Sequence, residues 1–540
     1  MGVADVAAAT VPDREMVACG QVRRTFAEVA DRSRSLAAFL LAHGVGLHAE
    51  RDELERWESG QDPVALVLNN STEYVEAMFG AVRARAVPCN VNQHYRGAEV
   101  RALFDDVGVR AVVYHRRYRP LLEVALEERD RVVLVDVDDG SGVEPLPGSV
   151  GFEEAVGTPV AALPTTSPDD LYMVCTGGTT GRPKAVLWRQ ADAYVSAMAG
   201  VEGATAESIA EVVTSGGAPA GAWYPVAPLM HAAAQWTAFS GLHQGARVVL
   251  HDDAGAFDAR AVLRLAEDEQ VALMSIVGDA HAGPIVEELR RRPYDLSSLL
   301  VLGTGGAATS ERSKQALVEL LPNLMIRDGY GSSETGGMAY GARTRNSGRP
   351  GFDPSPGATV VSADRTRFLE PGDEEVGWTV RRGRVPLGYL GDRARTEETF
   401  PIVQGERIAI PGDRAQLLPN GRILMLGRDA LVVNTGGEKV FVEEVEEVLR
   451  RHPDVADALV VGRPSARFGH EVVAVVAPRE GATVDGAALR AFVAQDIARF
   501  KAPRAVAVVD RVRRHANGKA DYAWAKEAAL GAEAVAGSSR

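Results

Sequence analysis

Short apolar, β-branched runs alternate with amphipathic stretches along most of the chain. VALVLNN from Val64 is followed by STEYVEAMFGAVRARA, ARVVLH from Ala246 by DARAVLRLAEDEQ, ALMSIVGD from Ala272 by GPIVEELRRR, and LLVLGTGG from Leu299 by SERSKQALVELL. Strand then helix, repeated, predicts an α/β fold of layers around mostly parallel sheets. Asn70 and Glu73 stand at capping-box spacing before the first of these helices. After about Gly341 the pattern changes to short, turn-rich segments (GWTVRRG, GDRAQLL, GRILMLG), which predict a small antiparallel barrel. Beyond Arg428 a further alternation (VEEVEEVLRRH, ADALVVGRP, HEVVAVVAP, GAALRAFVAQDI) predicts a separate α+β unit of about 110 residues. The expected division is therefore 1–428 and 429–540, and the short junction near Leu426 to Asn434 suits two rigid bodies on a hinge.

Composition narrows the function classes. The 540 residues exceed one core, and 46% hydrophobic with 24% charged residues is ordinary globular usage. Only the last ten residues, GAEAVAGSSR, read as a loose tail. A formal net charge of −14 disfavours nucleic-acid coating or adhesion to an anionic membrane, so any phosphate must be met by local cations. Cys19, Cys89 and Cys175 have no close spacing and form neither a disulfide framework nor a zinc motif. No apolar run reaches membrane-span length and the N-terminus lacks a basic start, so a cytoplasmic protein without stable membrane insertion is expected.

Candidate chemistry begins at MVCTGGTTGRPKAVLW, Met173 to Trp188. Glycines let backbone N–H groups approach phosphate oxygens, and threonine hydroxyls add donors. It is not a Walker A loop, because Arg182 and Pro183 separate Gly181 from Lys184 and Ala185 follows the lysine. DGYGSSETGG, Asp328 to Gly337, offers Tyr330 for stacking on a base, Ser333 for a phosphate oxygen and Glu334 for a magnesium ion. Asp413 suits a ribose diol, and Arg428 suits the same sugar or a phosphate. Asn517-Gly518 makes a tight turn with Lys519 at its tip. Each of these alone reads equally as a satisfied surface group.

Together, in this order, the segments resemble the adenylate-forming superfamily of acyl-CoA synthetases, nonribosomal adenylation domains and luciferases, over nearly the whole chain from Thr10 to Lys519. TGGTTG, NVNQHY, IVGDAHAGP and NTGGEKVFVEEVEE are similar to bacterial acyl-CoA synthetases for fatty, branched or steroid-derived acids. The resemblance implies ATP, Mg2+ and CoA, and two reactions. A carboxylate is first adenylated with loss of pyrophosphate, and a thiol then displaces AMP. It also implies a mobile C-terminal lid domain.

By the same resemblance Lys519 bridges carboxylate and α-phosphate, and Glu334 carries Mg2+. Thr176, Gly177, Gly178, Thr179, Thr180, Gly181 and Lys184 form the phosphate loop with Ser333. Gly305, Gly306, Ala307 and Tyr330 surround adenine, Asp413 with Arg428 holds the ribose, and Asp328 and Gly331 join the nucleotide-binding set. Gly436, Gly437, Glu438 and Lys439 arrive for the thioester step, while His231, Trp236 and Gly278 line the acyl and thiol region. A core histidine and a core tryptophan remain the alternatives for His231 and Trp236. A carrier-protein pantetheine arm in place of CoA, an enzyme specialised for the thioester half-reaction, and a homodimer stay open. Ala232, Ala233, Ala234 and Gly278 read as features of a roomy pocket. Two positions depart from the pattern: Ala185 stands where glycine is usual, and Ala430 occupies the usual hinge position.

Overall fold

The computed structural model describes residues 2–177, 183–345, 351–435, 438–465, 469–515 and 518–534. Its larger sheet has nine strands in the order Asp353–Pro354, Gly336–Arg343, Met325–Ser332, Val301–Thr304, Val271–Ile276, Ala222–Pro225, Arg247–Leu250, Glu15–Cys19 and Val22–Thr25. The run from Met325–Ser332 to Glu15–Cys19 is parallel, and both edges are antiparallel. A second, all-parallel sheet orders Val87–Asn90, Pro63–Val67, Ala111–His115, Val133–Val137 and Val150–Gly151. Parallel strands covered on both faces read as unbroken apolar runs, and every residue of Pro63–Val67 and Ala111–His115 is buried.

The helix Thr72–Arg83 wedges between these layers and is buried on almost every side. Its cap is Ser71, whose hydroxyl accepts the Tyr74 N–H at 3.2 Å. Asn70, expected in that role, is committed elsewhere: its Oδ1 accepts the Leu229 N–H at 2.7 Å, and its own N–H donates to Asp253 at 2.7 Å. A tertiary partner has displaced the local cap, and Ser71 serves in its place. Within the helix Glu76 is fully buried, facing Arg24 at 3.3 Å and Arg32 at 2.8 Å.

The segment around Gly341 belongs to the nine-stranded sheet, and the turn-rich sheet begins at Ala358. That sheet comprises Ala358–Val361, Gly377–Arg382, Ile402–Val403, Glu406–Ala409, Asp413–Leu417 and Ile423–Arg428, all antiparallel. Gly377–Arg382 divides its pairing between Asp413–Leu417 at one end and Glu406–Ala409 at the other, and no pairing among the described residues closes a ring. The expected barrel is thus an open, branched sheet. A three-stranded antiparallel sheet, ordered Gly388–Tyr389, Pro183–Arg189 and Leu171–Gly177, brings the phosphate-loop segment alongside.

The C-terminal unit packs the helices Val442–Arg451, Gly486–Asp496 and Tyr522–Leu530 on a six-stranded mixed sheet, with a core that includes Val445, Leu449, Val460, Val476 and Leu489. Among the described residues no helix is long and apolar enough to cross a membrane.

Loss of the Glu76 carboxylate would leave Arg24 and Arg32 without their buried counter-charge. Glu76→Ala is expected to destabilise the N-terminal body by about 2–4 kcal/mol, read as a drop in the first calorimetric transition.

Candidate active site

In a parallel sheet the loops after consecutive strands emerge at one edge, which is where open α/β sheets bind ligands. Here that edge gathers the loop to His231 after Ala222–Pro225, Gly278 after Val271–Ile276, Gly305 to Ala307 after Val301–Thr304, and the turn to Glu334 after Met325–Ser332. The glycines permit close approach. A Cβ on Gly305 would stand 2.8 Å from the Gly329 carbonyl oxygen. One on Gly278, at φ +51°, would stand 2.7 Å from the Ala308 oxygen and 2.9 Å from Ala307 Cβ. Gly278 therefore lets two loops touch, and its missing side chain is not free pocket space.

Charged groups converge on the same edge. Tyr330 donates to Asp413 Oδ2 at 2.6 Å and lies 3.2 Å from the Thr379 hydroxyl. Asp413 is buried, 3.5 Å from Arg428 Nε, and burial raises its pKa against the pull of Arg428. Glu334 accepts from the Tyr389 hydroxyl at 2.8 Å, and Lys184 Nζ stands 5.5 Å from the Tyr389 ring centroid. Burial, then Arg395, lowers the Lys184 pKa, while Glu334 opposes both. Trp188 Nε1 donates to the Ser333 carbonyl at 2.9 Å and ties the phosphate-loop sheet to the Glu334 turn. Asp328, counted with the nucleotide-binding residues by resemblance, has its Oδ2 at 2.7 Å from Lys314 Nζ. Gly331 stays on the strand Met325–Ser332, paired with Gly337 just before the turn, where a Cβ would stand 2.2 Å from the Gly336 oxygen.

The C-terminal unit closes onto this edge. His515 and Lys519 close a backbone turn at 2.8 Å, and Gly518 packs so that a Cβ would meet Ala280 at 3.0 Å and Val277 at 3.3 Å. Lys519 there lies within electrostatic reach of Arg428 and Glu334. Crowding around its ammonium, followed by Arg428, lowers its pKa, and Glu334 opposes the shift. Part of the side chain stays open to solvent. Glu443 presses against Gly427, where a Cβ would stand 1.8 Å from its Oε2. Burial, then the Asp413 charge, pushes Glu443 up to about 6.

His231 caps the helix Ala232–His243, and its buried Nε2 has no hydrogen-bond partner among the described residues. Burial, then the Lys519 and His94 charges, pushes it down to about 4, so it is neutral at pH 7. Trp236 packs against the largest core cluster as a partly buried side chain, and Ala234 is buried in that core. Ala185 lies in Pro183–Arg189 opposite Cys175 with its carbonyl accepting from Leu390 at 2.9 Å, a strand position that has no need of glycine. Asp429–Leu431 forms a single 3-10 turn, with Asp429 held by Arg414 at 2.7 Å.

Thr176 and Gly177 end the strand Leu171–Gly177, whereas Gly178, Thr179, Thr180 and Gly181 lie outside the described residues. So do Gly436 and Gly437, while Lys439 belongs to the strand Glu438–Val440. Sequence reasoning missed Tyr389, although its segment PLGYLGD carries the glycine flanks seen around the other site residues. It also missed the side chains of Asn90 and Gln235, which support the His231 segment from beneath. NVNQHY marked Asn90 without assigning it a role.

The family profile described as AMP-binding enzyme matches residues 4–385, and that of the AMP-binding enzyme C-terminal domain matches 444–519. The chain is 43% identical to the medium-chain acyl-CoA ligase Mig of Mycobacterium avium, over 98% of each chain. It is 39% identical to a medium/long-chain-fatty-acid–CoA/3-oxocholest-4-en-26-oate–CoA ligase of Mycobacterium tuberculosis, over 97% of this chain and 95% of the relative. The fold matches that of the anthranilate CoA ligase AuaEII in complex with anthranoyl-AMP, with TM-score 0.81 and 20% identity over 98% of this chain and 97% of the other. By these matches across nearly its full length, the chain belongs to the AMP-binding, adenylate-forming enzyme family.

Proposed function

We propose that this protein is an AMP-forming acyl-CoA synthetase for a hydrophobic carboxylic acid, of the medium-chain, long-chain or steroid-acid class named for its relatives. The observation that carries this reading is the packing of the Gly518–Lys519 turn of the C-terminal unit on Val277 and Ala280, which brings Lys519 within electrostatic reach of Glu334 and Arg428 of the N-terminal body. A carboxylate approaching a polyphosphate is repelled by it, so fixed cations at the junction stabilise the transition state. The substrate carboxylate oxygen attacks the α-phosphorus, the bond to the bridging oxygen breaks, and pyrophosphate leaves with that electron pair. Asp413 and Tyr330 hold the nucleotide sugar side, and the Lys519 ammonium spans the two anions.

A hard divalent cation fits an oxygen donor such as the Glu334 carboxylate, and bound there Mg2+ would neutralise phosphate charge. Tyr389, through its hydroxyl, holds Glu334 in orientation. In the second step the thiolate of CoA attacks the acyl carbonyl and AMP leaves with the electron pair of the C–O bond. For this the C-terminal unit, from Asp429 onward, turns about Asp429–Leu431 and withdraws Lys519. His231, uncharged at neutral pH, lines the acyl–thiol junction without adding charge to it.

Acid-dependent exchange of labelled pyrophosphate into ATP, followed by mass detection of the thioester on adding CoA, tests the reading. Absence of exchange with medium-chain, long-chain and steroid acids alike would defeat it. Lys519→Ala is expected to slow exchange by about 100-fold or more, while transfer from a supplied acyl adenylate to CoA stays within about twofold.

Closure over Gly427 raises the Glu443 pKa to about 6, so the closed arrangement binds more protons than the open one. The penalty for closing begins above the ordinary glutamate range and is complete above about 6. The ratio of Glu443→Gln to parent exchange rates should therefore rise between about pH 5 and 7 and then level. A pH-independent ratio would show that Glu443 is not ionising in this interface.

A further inference from the structure

The strand Leu171–Gly177 leads into the phosphate loop and is an edge strand, paired on one side only with Pro183–Arg189. Its other edge needs partners for buried backbone groups. One side chain supplies them. Asn90 Oδ1 accepts the Cys175 N–H at 2.8 Å, and Asn90 Nδ2 donates to the Cys175 carbonyl at 2.8 Å. The second proton of the same Nδ2 goes to the Met230 carbonyl at 2.6 Å. Met230 directly precedes His231, and Cys175 directly precedes Thr176. The Asn90 carboxamide therefore substitutes for a strand along the phosphate-loop edge while gripping the segment that sets His231.

A second carboxamide repeats the arrangement nearby. Gln235 Oε1 accepts from the Tyr172 hydroxyl at 2.6 Å, and Gln235 Nε2 donates to the Leu229 carbonyl at 2.7 Å. Tyr172 is on the phosphate-loop strand, and Leu229 is on the His231 segment. Asn70 Oδ1 holds the Leu229 N–H from the far side, and the Tyr74 hydroxyl donates to the Leu229 carbonyl at 3.1 Å. Asn90 and Gln235 are both buried, so neither bond set is exchanged cheaply for water.

We propose that Asn90 and Gln235 are positioning residues that lock the phosphate-loop strand to the His231 segment, so that one rigid unit sets ATP geometry and the acyl–thiol junction together. The inference rests on the two-step reading above. It assigns to residues that touch no substrate the task of keeping two half-reactions in register. The geometry favours coupling over simple packing, because each carboxamide bonds to both segments: Asn90 to Cys175 and Met230, and Gln235 to Tyr172 and Leu229.

Asn90→Ala removes all three bonds. In this variant the ATP KM for pyrophosphate exchange is expected to rise about tenfold, and acyl transfer from a supplied adenylate to CoA to fall about tenfold. Both are normalised to folded protein by near-ultraviolet circular dichroism. Joint loss supports the proposal. A lowered melting temperature with both steps intact, or loss of one step alone, overturns it. Should Asn90→Ala not accumulate in folded form, Gln235→Glu carries the same test, since it keeps the shape and an acceptor for Tyr172 and removes the donor to Leu229. A parent protein inactive in both assays refutes the synthetase reading instead, which separates the two failures.

Discussion

The site depends on a charge junction that one domain cannot make alone. Arg428 and Glu334 belong to the N-terminal body and Lys519 to the C-terminal unit, and their charges act on one another across that junction. Attraction to Glu334 favours the charged ammonium, whereas partial desolvation and repulsion from Arg428 oppose it, and the Lys519 side chain keeps an exposed surface. An anion placed between Lys519 and Arg428 would turn their mutual repulsion into shared attraction.

The fold divides the labour between a fixed edge and a moving turn. Strand ends of the parallel sheet fix the Gly305 loop, the Glu334 turn and the His231 segment relative to one another, since their registers are set by backbone pairing. The C-terminal unit meets them at Gly518 on Val277 and Ala280, and at Glu443 on Gly427. Both positions favour glycine through their backbone, at φ +107° for Gly427 and +75° for Gly518, conformations that L side chains rarely adopt.

Much of this was legible in the sequence because it is local. Alternation of apolar runs and amphipathic stretches marked the layers, and the segments around Thr176, Glu334, Asp413 and Lys519 carried their chemistry in contiguous residues. What escaped depends on partners distant in the chain. Asn70 matched a capping pattern, yet Leu229 claims its carboxamide. Gly278 read as pocket space, yet Ala307 and Ala308 fill its missing side chain. Cys89 and Cys175 looked unrelated by spacing, and the fold sets their free thiols 3.0 Å apart between two sheets. A tertiary contact of this kind leaves no periodicity to read.

The choice of carboxamides for the clamp has a physical logic of its own. Across the reaction the site passes from ATP and a carboxylate to a mixed anhydride, then to a thioester, and the local charge changes at every step. A buried aspartate or histidine in the clamp would shift its own protonation with that charge, and the segments it holds would shift with it. Asparagine and glutamine do not titrate, and each offers a donor and an acceptor on one rigid plane. Asn90 uses that plane fully, with Oδ1 and both Nδ2 protons engaged, so it has no alternative bonding state to enter. Frame and charge are thereby separated: the carboxamides hold geometry without titrating, while the charges of Glu334, Arg428 and Lys519 sit on other elements.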